Sequence, residues 1–157
     1  MKAFFIYDEP FWRADGFNGQ FISDVGPARM SNDTCIPGQD AGVILAFLEG
    51  EQARVASRWP YERRRAALTE QMVRIFGPKA ADPVAYADGE WGDRQWTRGC
   101  YNANPGPLVW TNYGAALSPP VGPIHWASTD TATRWSAYME GAVDAAERAV
   151  SEVIRSL

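Results

Sequence analysis

What this chain has little of narrows its function before any motif is read. Its 157 residues include only two cysteines, Cys35 and Cys100, and one histidine, His125. A structural zinc site needs four Cys or His ligands in close pairs, which three widely separated residues cannot supply, so no metal is expected. Lys and Arg total 15 against 19 Asp and Glu, a net charge of −4. The clustered cationic excess of a nucleic-acid footprint is therefore missing. The longest strongly apolar run covers residues 43–48, far short of the ~20 residues that cross a bilayer, and no membrane partner is expected. Near the start, Asp8 interrupts a short apolar stretch, so no secretory signal is read and a cytoplasmic location is expected. Thiols there usually stay reduced. No two of the fourteen glycines are separated by a single residue, which excludes a G-x-G dinucleotide fingerprint, and the P-loop spacing is also missing. A Ser-His-Asp triad would depend on His125, whose strand-like neighbours Ile124 and Trp126 favour a packed side chain instead.

What is present is a folded chain rich in rings. Hydrophobic residues make up 46% and charged residues 22%, values of one ordinary globular domain. Seven Trp, six Tyr and seven Phe bring aromatics to 13%, and many fall between Trp91 and Tyr138. Such density builds a core or a ring-lined pocket.

Periodicity predicts strands at residues 2–8 and 43–48, a hairpin of residues 20–25 and 28–32 around Gly26-Pro27, and a short strand at 84–86. A short helix is expected over 51–58. A longer one begins with Pro60 as its first helical residue and Glu62 in its first turn, carries Leu68, Met72, Ile75 and Phe76 as one stripe, and stops at Gly77-Pro78. The Arg63-Arg64-Arg65 run on it reads as a solvated face. Residues 89–123 read as a Gly- and Pro-rich loop of a length that is usually functional. Residues 124–127 read as a short buried strand leading into Ser128-Thr129-Asp130-Thr131. The last element is an amphipathic helix with apolar positions from Trp135 to Ile154, an Asp144–Arg148 pair at i,i+4, and a small-residue row of Ala137, Gly141 and Ala145.

Two segments look unlike generic folding code: Trp91-Gly92-Asp93-Arg94-Gln95-Trp96-Thr97-Arg98-Gly99-Cys100-Tyr101, and the run from Ile124-His125-Trp126 through Trp135-Ser136-Ala137-Tyr138-Met139-Glu140-Gly141-Ala142. Together they resemble the C-terminal part of the flavin-containing monoamine oxidases and their bacterial relatives such as putrescine oxidases. Glu9-Pro10-Phe11-Trp12-Arg13 occurs earlier in the same order, so the resemblance covers essentially the whole chain.

The resemblance implies an α+β fold. Residues 1–90 would be part of a mixed-sheet substrate domain with packed helices. Residues 91–157 would be the C-terminal FAD-contacting loop, strand and helix, without the N-terminal Rossmann unit and the upstream pocket lysine of the family. It also implies roles. Cys100 matches a cysteine that in many members joins the flavin through a thioether, which requires a thiolate held at the ring's benzenoid edge. Tyr101 and Tyr138 match two tyrosines that flank the substrate amine before the flavin. Trp91 matches a tryptophan walling the site. Ser128, Thr129 and Asp130 match the turn along the ribityl and pyrophosphate, where the family usually has Gly-Thr-Glu, and Ala137 stands for a glycine beside the ring. Tyr138 and Met139 would open the last helix at the flavin, where its positive end stabilises developing negative charge by about 0.3–2 kcal/mol.

The implied reaction converts an amine to an imine and then an aldehyde, with dioxygen reduced to peroxide, using FAD. The chain by itself is expected to be inactive. The alternative is a non-catalytic truncated product or interaction domain that self-associates, as a dimer, through the face the FAD domain would cover.

Overall fold

Strict alternation decides the first strand. In β1 (Lys2–Tyr7), Ala3, Phe5 and Tyr7 are buried while Phe4 points outward. In the computed structural model, which describes residues 1–100, 102 and 104–157, this strand is paired on both sides. It runs antiparallel to β4 (Gly42–Phe47) and to β5 (Ala85–Gly89). β2 (Phe21–Ile22) and β3 (Met30–Asp33) complete a five-stranded sheet in the order β2-β3-β4-β1-β5. Every pairing in it is antiparallel. Among the described residues the strands thus contribute no parallel pair to the mixed sheet that was expected, while the α+β class holds. The chain divides into two compact units, Met1–Trp91 and Gly92–Leu157.

In the first unit, α1 (Gly50–Ser57) and α2 (Tyr61–Phe76) follow β4. α2 buries Leu68, Gln71, Met72 and Phe76, one helical stripe, into a core with Phe5, Trp12 and Ile44. Pro60 is the extended residue before this helix (ψ 149°) and not its first helical residue. The polar member of the stripe has a specific task. The Gln71 amide accepts from the Ala28 N–H at 2.9 Å and donates to the Val25 and Ala28 carbonyls, each at 2.9 Å. It thereby satisfies the backbone of the β2–β3 connection, which has no strand partner there. Gly26 (φ +94°) makes room for it, since a Cβ would lie 2.5 Å from Gln71 Cδ.

Two further polar groups tie loops down. Arg64 grips Asp88 with two hydrogen bonds, 2.8 and 3.0 Å, and donates to the Trp59 carbonyl, while the Tyr86 hydroxyl donates to the same carboxylate at 2.8 Å. The central arginine of the 63–65 run is therefore a partly buried clamp between α2 and β5, and the solvated-face reading fails for it. Arg63 lies over the Trp59 ring at 4.6 Å. Asp33 accepts from Arg13 at 2.9 and 2.7 Å, from the Trp12 indole at 3.1 Å and from the Cys35 N–H at 2.9 Å. Partial burial works to raise the Asp33 carboxyl, but the hydrogen bonds from Cys35, Arg13 and Trp12 outweigh it and hold its pKa at about 2. Cys35 is a free thiol whose sulfur accepts from the Val43 N–H at 3.2 Å.

The second unit contains α3 (Val109–Tyr113) inside the stretch expected to be loop. Residues 124–127 do not form the expected buried strand. Only an isolated Val121–Ile124 bridge is present, and Ile124 and Trp126 are exposed. α4 (Met139–Ser156) closes the chain. Among the described residues, no helix is long and apolar enough to cross a membrane.

Two measurements check this account. Gln71→Met strands the buried Ala28 N–H and carbonyl, while the Val25 carbonyl keeps its bond from Ser23. The substitution is expected to lower unfolding stability by about 2 kcal/mol, read from urea titrations. An unchanged midpoint would contradict the role given to Gln71. Asp33 is depressed in the folded state, so its contribution is complete above the unfolded carboxylate range and fades as pH falls toward about 2. Asp33→Asn should flatten the acid limb of the stability–pH curve, and a limb as steep as the wild type's would refute the assignment.

Candidate functional site

The residues singled out near the C-terminus converge on the start of α4. Residues 129–131 form a single 3-10 turn whose cap is Ser128, with its hydroxyl accepting from the Asp130 N–H at 3.3 Å and donating to the Asp130 carboxylate at 3.0 Å. Ser128 has ordinary extended dihedrals (φ −80°, ψ 150°), so the backbone at this position asks for no glycine. Thr129 then reaches across the fold, its hydroxyl donating to the Tyr138 carbonyl at 2.9 Å. Gly141 makes this approach feasible, because a Cβ there would overlap the Trp135 carbonyl oxygen and crowd the Thr129 hydroxyl.

The approach to α4 is bent by two non-glycine residues with left-handed backbone, Trp135 (φ +57°) and Ala137 (φ +72°). The bend returns the Tyr138 N–H to the Trp135 carbonyl at 3.0 Å and sets the two rings edge to face, 6.2 Å apart at 85°. Such rings offer no coplanar stacking surface of the kind that binds sugars. Both rings are more than half exposed, and Met139 is 90% exposed. Tyr138 caps α4 without any side-chain hydrogen bond, and the first intrahelical bond is Ala142 N–H to Tyr138 carbonyl. The opening turn thus presents backbone donors and the positive end of an 18-residue helix beside two exposed aromatic rings. A flat ring system with an acceptor edge and an apolar face is the chemical complement of this surface. By that test, the residues present fit a flavin.

Ser128, Thr129, Asp130, Ala137, Tyr138 and Met139 are therefore brought together. Cys100 lies in the same unit as an exposed free thiol. Trp91 is half exposed and belongs to the first unit. Tyr101 lies outside the described residues.

Sequence reasoning missed how α4 is held. Its regularly spaced polar residues Asp144, Arg148 and Glu152 face the preceding loop, whereas Val143, Val150 and Ile154 are more than half exposed. The expected Asp144–Arg148 pair is not formed. Asp144 accepts from the Thr133 N–H and hydroxyl at 3.0 and 2.9 Å, and these bonds hold its carboxyl below the ordinary range. Arg148 pairs with Glu152 at 2.7 Å, and Glu152 meets His125 Nδ1 at 3.1 Å. His125 is thus packed, as expected, with its ring held by Glu152. The four-residue spacing of 144, 148 and 152 was the available signal.

The family model for flavin-containing amine oxidoreductases matches residues 1–154. The chain is 40% identical over 152 residues to the flavin-containing monoamine oxidase AofH of Mycobacterium tuberculosis, covering 97% of this chain and 33% of that protein. It is 38% identical over 160 residues to the flavin-containing amine oxidase B of Cavia porcellus, covering 100% and 31%. Among solved structures, a putrescine oxidase double mutant from a structure-based redesign of cofactor binding matches with a TM-score of 0.90 at 34% identity, over 98% of this chain and 34% of that one. A cyclohexylamine oxidase from Brevibacterium oxydans matches at 0.89 and 29% identity, over 99% and 34%. The chain belongs to the flavin-containing amine oxidoreductase family, a family of oxidoreductases, and spans about a third of the length of the relatives it matches.

The bend before α4 yields a direct test. A non-glycine residue in the left-handed region costs roughly 1–2 kcal/mol, partly offset by glycine's larger unfolded-state entropy. Ala137→Gly is expected to raise the local stability of the second unit by about 1 kcal/mol, measured by amide exchange at Tyr138 and Ala142. Faster exchange in the variant would show that Ala137 is not strained.

Proposed function

We propose that this chain provides the amine- and flavin-facing C-terminal segment of an FAD-dependent amine oxidase. The observation that carries the reading is the clamp of Thr129 on the Tyr138 carbonyl, which holds the backbone carrying an exposed ring beside an uncapped helix start in a chain of this family. When bound, the flavin would take up the two electrons removed from the amine and hand them to dioxygen.

The chain's own residues would bind and orient. Tyr138, with Tyr101, would flank the amine, hold its α-carbon in line and exclude water. The Met139 N–H and the helix start would face the acceptor edge of the ring. Ser128, Thr129, Asp130 and Ala137 would lie along the cofactor, and Trp91 would wall the site. Cys100 Sγ would form the covalent link, for which an exposed thiol is the required starting point. The first unit would belong to the substrate domain. Because this sequence carries no glycine-rich dinucleotide fingerprint, the chain alone is proposed to be inactive.

A second reading rests on one observation. Ala127, Ala146, Ala149, Val150, Val153 and Ile154 line an apolar groove of about 270 Å³ along α4. Self-association of a non-catalytic chain through that groove would hide it. Light scattering across concentrations separates the two, since this reading requires a mass above the monomer's.

The oxidase reading is tested by joining the FAD-binding segment of the Mycobacterium tuberculosis relative to this chain and measuring peroxide from a primary amine. The chimera is expected to produce peroxide, and Tyr138→Ala to lower kcat/KM by about 10- to 100-fold, or ~1.4–2.7 kcal/mol. Flavin colour should stay with the denatured chimera and leave it in Cys100→Ser. Peroxide from the chain plus FAD without the added segment, or an unaltered Tyr138→Ala chimera, would overturn the reading.

A further inference from the structure

The terminal nitrogens of Arg148 make five hydrogen bonds, three of them to backbone carbonyls. Nη1 donates to the Ser118 carbonyl at 3.1 Å and to Glu152 Oε1 at 2.7 Å. Nη2 donates to the Trp126 carbonyl at 2.8 Å, to the Thr131 carbonyl at 3.4 Å and to the Thr131 hydroxyl at 3.2 Å. The other oxygen of Glu152 meets His125 Nδ1 at 3.1 Å, which holds the carboxylate from the loop side. The Arg148, Glu152 and His125 side chains are each no more than 20% exposed.

These contacts bracket the turn. Trp126 and Thr131 lie just before and at the end of residues 128–131, and the Thr131 hydroxyl also donates to the Ser128 carbonyl at 2.8 Å. Between them Thr129 extends its hydroxyl to Tyr138. The chain of bonds therefore runs from Arg148 through the turn to the backbone that carries the Tyr138 ring, a full helix turn and more away from Arg148 itself. A lysine could not reproduce it, because one ammonium lacks the planar fork that reaches several carbonyls at once.

We propose that Arg148, braced by Glu152 and His125, is the positioning residue that sets the turn at residues 128–131 and, through Thr129, the orientation of Tyr138. Its consequence for the flavin rests on the reading of Tyr138 given above. Its backbone part does not.

The test is amide exchange in the 157-residue chain and FAD binding in the chimera described above. Arg148→Met is expected to lose at least tenfold in protection at the Thr131, Ala132 and Tyr138 amides. The first unit and the Ala149 amide should be unchanged. Arg148→Lys should recover only part of the loss. Thr129→Val should reproduce the loss at Tyr138 but not at Thr131, and adding it to Arg148→Met should change Tyr138 no further. Unchanged protection in Arg148→Met would overturn the proposal. So would additive effects at Tyr138, or loss spread evenly over the second unit in the methionine and lysine variants alike, which would make Arg148 a general staple. Titration of the chimera with FAD, read by flavin fluorescence, separates the two claims. Arg148→Met and Thr129→Val should weaken FAD binding by the chimera together. If both leave that binding unchanged while the exchange pattern holds, the flavin reading of the turn fails and the positioning role stands.

Discussion

A backbone without strand or helix partners must find donors for its carbonyls, and in the second unit a single arginine meets much of that demand. Residues 114–138 make few regular hydrogen bonds, and three of their carbonyls end on Arg148. Guanidinium suits this work because it is always charged, carries five donors and is weakly hydrated for its charge. The contacts also explain the faces of α4. Its polar stripe faces the loop it organises, Gly141, Ala145 and Ala149 are buried, and Val143, Val150 and Ile154 are largely exposed. Hydrophobic periodicity identified the helix correctly, and its small-residue row lies on the buried side.

The first unit uses the same device inside a conventional core. Trp12, Phe5, Ile44, Leu68 and Met72 pack with essentially no exposure, which supplies the bulk of the driving force. Specificity comes from polar hubs at its margins: Gln71 for the β2–β3 connection, Asp33 for the segment after β1, and Arg64 for β5. Each hub joins elements far apart in sequence. A buried amide or carboxylate with all its partners present is stable, and the same group with one missing is costly. Such hubs thus exclude alternative packings that the apolar residues alone would tolerate.

This division of labour decides what could be read from the sequence. β1, β4 and α2 were legible because one buried face imposes a period of two or of 3.6. The β2–β3 hairpin was legible because Gly26-Pro27 punctuates it, although the paired strands are shorter than the pattern suggested. The segment from Ser118 to Arg134 was not legible as structure. It is held by contacts with Arg148, Glu152 and Asp144, and one-dimensional patterns do not record those. Arg64 was misjudged for the same reason, and the partner of the packed His125 was missed, since these partners lie 24 and 27 residues away. Within the site, helical spacing was read from Trp135 onward, whereas the backbone bends there with left-handed Trp135 and Ala137 and α4 starts only at Met139.

The site therefore combines an organised turn, a strained bend and an uncapped helix start, all within residues 128–141. The measurement that bears most directly on its assignment is photolabelling of the chimera with an azido-substituted FAD, followed by tryptic mapping. Cleavage after Arg98, Arg134 and Arg148 isolates residues 99–134 and 135–148. The account predicts adducts on those two peptides, at Cys100 or the turn in the first and at Tyr138 or Met139 in the second. Labelling confined to peptides of the first unit, with both of these unmodified, would contradict it.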